Sequence, residues 1–115
     1  MNKFILHVEG TIVFLLTIYF YFSLQLNWLI FFILLFAPDL AMVGYLKNVK
    51  FGSIIYNLVH TYTLPAIMLV SSLQLQHDFV FMLSLIWIAH IGMDRMLGFG
   101  LKYPTHFHDT HLNRV

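Results

Sequence analysis

Residues 79–99 read FVFMLSLIWIAHIGMDRMLGF, which is close to the roughly 20 apolar residues that a helix needs to cross the hydrocarbon core of a membrane. Three similar runs occupy about residues 8–25, 28–46 and 53–73. The links between the runs are brief, so consecutive helices must be antiparallel neighbours. The sequence therefore predicts an all-α fold, an integral membrane four-helix up-down bundle in a single domain over 1–115, with a short cytoplasmic C-terminal tail at 100–115.

The composition agrees with a membrane environment. Hydrophobic residues make up 60% of the chain and charged residues 10%, with a mean hydropathy of +0.82. Soluble domains are about half apolar and about a quarter charged. The net charge of +1 comes without a basic stripe, which excludes a nucleic-acid partner bound by bulk electrostatics. Because the chain has no cysteine, any metal would be held by histidine, carboxylate or backbone oxygen.

Basic residues predict the orientation of the spans, since lysine and arginine accumulate on the cytoplasmic side of a membrane. In the predicted bundle one face carries the N-terminus, the second loop and the C-terminus, with the basic residues Lys3, Lys47, Lys50, Lys102 and Arg114. The opposite face carries neither lysine nor arginine. We therefore expect a multi-pass protein of the cell membrane, with both termini cytoplasmic and the lipid bilayer as its partner.

The ionisable residues within the spans are predicted to share one depth. They are Glu9, Asp39, His60, His90 and Asp94. Counted from the cytoplasmic ends at about 1.5 Å per residue, all five lie within about 8–18 Å of that face. His90 and Asp94 are four residues apart, so they stack on one side of their helix. Such groups are costly in lipid and usually have a partner or a function, which predicts a polar pocket open to the cytoplasm.

Neighbouring residues fit the same pocket. In the third span Tyr56, Asn57 and His60 belong to one polar stripe of a single helix over 53–73. Pro65 removes the hydrogen bond to the Thr61 carbonyl, which membranes tolerate only where another group satisfies the oxygen. The tail residues from 109 to 111 are expected to fold back beneath the pocket. Trp28 and Trp87 are expected at lipid-facing or interfacial positions.

The leading functional hypothesis is a metal site. His60, His90 and Asp94 would bind the ion, with Asp39, Glu9 or His111 completing the ligand set. Mixed imidazole and carboxylate ligands suit Zn, Fe or Mn, and an open position could activate water for hydrolysis. In that scheme Asp39 or Glu9 is the candidate general base, and Arg95 or Lys102 could hold a phosphate or carboxylate of a substrate or cofactor.

Three alternatives remain open from the residues, and with them whether the chain is an enzyme. The acids and histidines could relay protons or a small cation, although the outer half of the bundle offers no polar path unless a homo-oligomer supplies one. His60 and His90 could ligate haem. The polar groups could also serve only to fix helix packing, because interhelical hydrogen bonds commonly do so in membranes.

A set of short motifs is spread over nearly the whole chain. They are Glu9-Gly10, Ala37-Pro38-Asp39, Gly44-Tyr45, Tyr56-Asn57 with His60-Thr61-Tyr62, Trp87 with His90-Ile91-Gly92, Asp94-Arg95, Gly98 with Gly100-Leu101-Lys102-Tyr103, and Asp109-Thr110-His111-Leu112. In these motifs the chain resembles the bacterial family known as domain of unknown function 4260. The resemblance implies a small multi-pass protein of the bacterial inner membrane and supports the polar positions, and it implies no mechanism.

Overall fold

The computed structural model of the chain describes residues 2–37, 39, 48–98, 100–101 and 110–114. Its helices are α1 (Asn2–Ser23), α2 (Trp28–Leu34), α3 (Val49–Val59), α4 (Thr63–Leu75), α5 (Asp78–Leu97) and α6 (His111–Arg114). Within these residues there is no β-strand, so the all-α prediction is confirmed.

Three stretches are long and apolar enough to cross a membrane. They are Asn2–Ser23, Val49–Leu75 and Asp78–Leu97. Large apolar side chains such as Leu15 of α1 and Leu73 of α4 are more than half exposed on their outer faces. An apolar surface of this kind is unusual for a protein in water and is consistent with a lipid environment. Of the predicted span over 28–46, only residues 28–37 and 39 are described, and the remainder lies outside the described residues.

The turns between helices follow from the polar residues in the links. Gln25 and Gln76 adopt positive φ angles of 58° and 53°, which reverse the chain after α1 and after α4. The side chain of Asn27 then accepts hydrogen bonds from the amides of Leu29 and Ile30 at 2.9 and 3.2 Å. His77 caps α5 in the same way through the amide of Val80. These caps satisfy amides that a helix N-terminus leaves free.

Helices α1 and α5 pack with their backbones close together. Gly92 of α5 faces α1, where an added Cβ would lie 2.8 Å from the backbone nitrogen of Phe14. Gly10 of α1 faces Arg95 and Met96 in the same manner. Because residue numbers rise along α1 as they fall along α5, the two helices are antiparallel. Small residues at such contacts are the usual basis of helix packing in membranes.

The apolar core lies beyond this contact, toward the start of α5. Tyr21 and Phe31 are buried with their ring centroids 4.8 Å apart, which joins α1 to α2. Ile86 and Ala89 of α5 complete the same cluster. The hydroxyl of Tyr21 donates to the backbone carbonyl of Asn27, so this buried phenol is satisfied.

The third predicted span differs from expectation because it is not a single helix. α3 ends at Val59, and residues 60–62 form a bend before α4 begins at Thr63. Pro65 lies in the first turn of α4, where its missing amide hydrogen is of no consequence, but in one continuous helix it would clash with the preceding turn. The bend places His60 at the joint between two helices.

Candidate metal centre

Four side chains from separate parts of the chain converge at the bend. They are Asp39, His60, His90 and Asp94, and one ligand atom from each lies within 4.8 Å of the other three. His90 and Asp94 occupy one face of α5, His60 follows α3, and Asp39 follows α2. The structure therefore brings together residues that the sequence analysis placed at one depth on different helices.

Five of the six distances between the ligand atoms are close to those of a tetrahedral ion site. His90 Nε2 lies 3.2 Å from Asp39 Oδ1 and 3.2 Å from Asp94 Oδ2. His60 Nε2 lies 3.4 and 3.5 Å from the same two oxygens, and 3.2 Å from His90 Nε2. A tetrahedron with metal–ligand bonds of about 2.0–2.1 Å has edges of about 3.3–3.4 Å. These five edges match this geometry to within a few tenths of an ångström, whereas the sixth edge, between the two carboxylates, is fixed only as lying within 4.8 Å.

Backbone carbonyls fix which nitrogen of each histidine faces the cluster. His60 Nδ1 lies 2.9 Å from the carbonyl oxygen of Tyr56, and His90 Nδ1 lies 2.6 Å from that of Leu35. A carbonyl oxygen only accepts hydrogen bonds, so both Nδ1 atoms must carry protons. The lone pair of each neutral ring is then on Nε2, pointing into the cluster. This second hydrogen bond is the arrangement that orients metal-ligating histidines.

Three of the four side chains are buried, and the fourth is partly exposed. The side chains of His60, His90 and Asp94 are 3%, 0% and 12% exposed, whereas that of Asp39 is 36% exposed. Asp94 Oδ2 is buried and makes no hydrogen bond of good geometry, although both histidine Nε2 atoms lie within 3.5 Å of it. An ionised oxygen in such a place is costly unless a cation compensates it. Three buried ligands can therefore bind a cation, with Asp39 on the solvent-accessible side of the site.

Two side chains of α5 support the bend from outside the cluster. Trp87 Nε1 donates to the carbonyl of Val59 at 2.6 Å, and Arg95 Nη2 donates to the carbonyl of His60 at 3.2 Å. In a continuous helix these carbonyls would accept from the amides of residues 63 and 64. α5 thus supplies the hydrogen bonds that the broken helix leaves unmade, which is how membrane proteins accommodate irregular backbone.

His111 is not among the four converging residues. Its Nδ1 accepts a hydrogen bond of 2.8 Å from the amide of Leu101, and its own amide donates to the Leu101 carbonyl at 2.8 Å. The next residue, Leu112, is fully buried, so the described end of the tail does pack against the helices. Burial and the nearby positive charge of Arg95 hold the pKa of His111 below its ordinary value.

The other predicted site residues lie apart from the four. Glu9 is exposed on α1 and, with Arg95 and Tyr62, lines a separate cavity of about 320 Å³. Arg95 contributes its guanidinium to the bend, as described above. Lys102, His106, His108 and Asp109 lie outside the described residues.

Sequence reasoning missed the parts of the site that are backbone. The carbonyls of Leu35 and Tyr56, which orient the histidines, have counterparts at every residue and leave no signal in the sequence. Trp87 was expected at the lipid surface, but it is partly buried and hydrogen-bonded to Val59. Its position three residues before His90, on the same face of α5, is the signal that could have indicated this role.

Comparison with known proteins identifies a family for this chain. No curated protein and no solved structure matches the chain. A family model described as a domain of unknown function matches residues 3–115, essentially the whole sequence. The chain therefore belongs to the DUF4260 family.

Proposed function

We propose that this chain is a membrane protein that binds one divalent metal ion and uses it to activate water in a hydrolase-like reaction. The observation that carries the proposal is the pair of Nε2 atoms facing each other at 3.2 Å, with each Nδ1 engaged by a backbone carbonyl. Four electron-pair donors directed at one point repel each other unless a metal ion or an added proton lies among them, and a metal ion can engage all four at once. The buried Oδ2 of Asp94, which has no hydrogen bond of good geometry, also favours a bound cation.

In this proposal His60, His90 and Asp94 hold the ion, and Asp39 is the general base. Two histidines and one carboxylate are a ligand set used by catalytic zinc and by non-haem iron sites, both of which keep a position open for water or substrate. The greater exposure of Asp39 suits a group that must exchange protons with solvent. Zn, Fe and Mn all fit this donor set. Haem fits poorly, because axial nitrogens on opposite faces of an iron lie about 4 Å apart with the porphyrin between them.

Metal analysis of the detergent-purified protein tests the proposal. We expect about one ion per chain in the parent and a loss of most of the metal in His90→Ala and Asp94→Asn. The chain supplies matched controls at the other end of α5, where His77 and Asp78 are exposed. His77→Ala and Asp78→Asn should retain the metal. Substoichiometric metal in the parent, unchanged in all four variants, would refute the metal centre.

The role of Asp39 is tested separately with Asp39→Asn. The variant should keep at least most of its metal, because the three buried ligands remain. Its hydrolysis of chromogenic p-nitrophenyl esters and phosphates should fall to the background set by His90→Ala. Loss of the metal together with activity would instead make Asp39 a fourth ligand and would remove the general base from the proposal.

A relay of protons across the membrane receives less support from the described residues. The buried hydroxyls deeper in the helices, on Thr17, Ser72 and Ser84, each donate to a carbonyl of their own helix. They therefore complete local hydrogen bonds and do not extend the cluster toward the opposite face. Proton flux in proteoliposomes that disappears with Asp39→Asn would reverse this preference.

We further propose the up-down arrangement of four spans in the cell membrane, with both termini cytoplasmic, on the strength of the basic residues and the antiparallel pairing of α1 with α5. Because the chain has no cysteine, single cysteines can report on each side. In intact bacterial cells a membrane-impermeant maleimide should label Gln76→Cys, in the turn between α4 and α5. It should label Lys3→Cys only after permeabilisation. The reverse pattern would invert the topology.

A further inference from the structure

An apolar cavity of about 360 Å³ lies beside the candidate metal centre. Its lining comes from the ends of α2 and α3 and from one face each of α4 and α5: Leu34, Ala37, Val59, Met68, Leu83, Ile86 and Trp87. The volume is within the range of about 300–1,000 Å³ that is usual for small-molecule sites, and the lining is apolar, as such sites mostly are.

The cavity wall is continuous in sequence with the four converging residues. Val59 immediately precedes His60, Ala37 lies two residues before Asp39, and Trp87 lies one helical turn before His90. The polar atoms at this boundary are paired with each other, since Trp87 Nε1 donates to the Val59 carbonyl. The wall can therefore accept a purely apolar ligand without leaving that donor or acceptor unsatisfied.

The cavity and the metal centre lie at different positions along α5. Leu83, Ile86 and Trp87 precede His90 by three to seven residues, which at the rise of a helix is about 4–11 Å farther from the C-terminal end of α5. The metal centre lies nearer the end of the helix and the cavity nearer its middle. A molecule occupying both would place its polar group toward the membrane surface and its apolar part toward the hydrocarbon core. This is the orientation of an amphiphile in a bilayer.

We propose that the cavity holds the hydrocarbon chain of a membrane amphiphile whose polar group reaches the metal centre. The substrate class of the proposed hydrolase is then a lipid or lipid-like molecule, an inference that rests on the proposed function. Met68 is suited to such a site because its flexible side chain adapts to chains of different shape.

The two tryptophans allow a direct test. Trp87 lines the cavity, whereas Trp28 at the start of α2 is 60% exposed. Trp28→Phe leaves Trp87 as the sole reporter, and Trp87→Phe leaves Trp28. On titration with a dibrominated fatty acid in detergent, quenching of Trp87 should saturate near one fatty acid per chain. Quenching of Trp28 should rise linearly with the fatty acid content of the micelle.

A second pair of variants distinguishes binding in the cavity from general contact with the fatty acid in the micelle. Ala37→Phe, introduced with Trp28→Phe, fills the cavity and should remove the saturable phase. Ala66→Phe adds the same ring to an exposed position of α4 and should leave it intact. Linear quenching of Trp87 in the parent, or a saturable phase that survives Ala37→Phe, would overturn the proposal.

The connection to the metal is tested by changing the polar group. A fatty hydroxamate should bind about tenfold or more tightly than the matching fatty alcohol to metal-loaded protein, a difference of about 1.4 kcal/mol, because only the hydroxamate is a strong metal ligand. After chelation the two should bind alike. If the protein holds metal but the hydroxamate gains nothing, the lipid substrate is refuted and the metal centre stands. If the parent holds no metal, the proposed function itself fails.

Discussion

His60 and His90 face each other through Nε2 atoms 3.2 Å apart, although one lies at a bend after α3 and the other lies within the uninterrupted helix α5. Neither ring is free to turn away, because Nδ1 of His60 is held by the Tyr56 carbonyl of α3 and Nδ1 of His90 by the Leu35 carbonyl at the end of α2. The separation is thus set by backbone positions, and an ion between these atoms would join the bend to α5 in addition to the hydrogen bonds of Trp87 and Arg95.

Removal of the metal should therefore lower the stability of the whole bundle. A ligand present at about a hundred times its Kd contributes about 2.7 kcal/mol to the free energy of unfolding. We expect a chelator to lower the thermal midpoint of the parent in detergent, and added Zn²⁺ or Mn²⁺ to restore it. The midpoint of His60→Ala should not respond to the chelator. An equal response in parent and variant would point to metal bound elsewhere.

Trp87→Phe should destabilise the protein by about 1–3 kcal/mol, which is the cost of leaving the Val59 carbonyl without its donor. The matched substitution Trp28→Phe removes the same indole nitrogen from an exposed position and should change the free energy of unfolding by less than about 0.5 kcal/mol. Unfolding in mixed micelles, followed by circular dichroism, gives both values. Similar losses in the two variants would mean that the bond to Val59 contributes little.

Gly92→Ala should weaken the pairing of α1 with α5. The added Cβ would lie 2.8 Å from the backbone nitrogen of Phe14, so one backbone must move. Overpacking of this kind costs about 1–3 kcal/mol. Ala66→Val, which enlarges an exposed residue of α4, serves as the control. An unchanged thermal midpoint in Gly92→Ala would show that the two helices can separate without cost.

Acid should weaken the attachment of the tail through His111. The folded protein holds the pKa of His111 below its ordinary value of about 6.5. The unfolded chain therefore takes up a proton first as the pH falls, and stability declines from just above pH 6.5 down to the lower folded pKa. His111→Gln keeps an acceptor for the Leu101 amide but does not titrate. The decline should be smaller in this variant than in the parent or in His77→Gln, as measured by thermal midpoints across that range.

The sequence predicted those features that depend on local composition. The long apolar stretches can be predicted because each of their residues is apolar. The end of α5 can be predicted from Gly98, a glycine that adopts a positive φ of 97°. The common depth of His60, His90 and Asp94 could be counted along the helices. Depth, however, says nothing about direction around the helix axis, so counting alone could not separate Glu9 from the group.

The bend at residues 60–62 could be predicted only in part from the sequence. Pro65 indicated that a carbonyl would be freed, and the expected oxygen was that of Thr61. The oxygens that α5 satisfies belong to Val59 and His60, because the interruption extends a full turn before the proline. Where a helix breaks depends on which neighbours can offer donors, and this is a property of the assembled helices.

The central position of α5 has a consequence for biosynthesis. It supplies His90 and Asp94 to the cluster and Trp87 and Arg95 to the bend, yet it is the last of the three stretches long and apolar enough to span a membrane to leave the ribosome. In the proposed membrane topology, Asp39 and His60 would lack these partners until α5 is inserted, which is a costly state for polar groups in lipid. A nascent chain that stops before Asp78 would resemble an orphaned subunit, exposed to the proteases that clear unassembled membrane proteins.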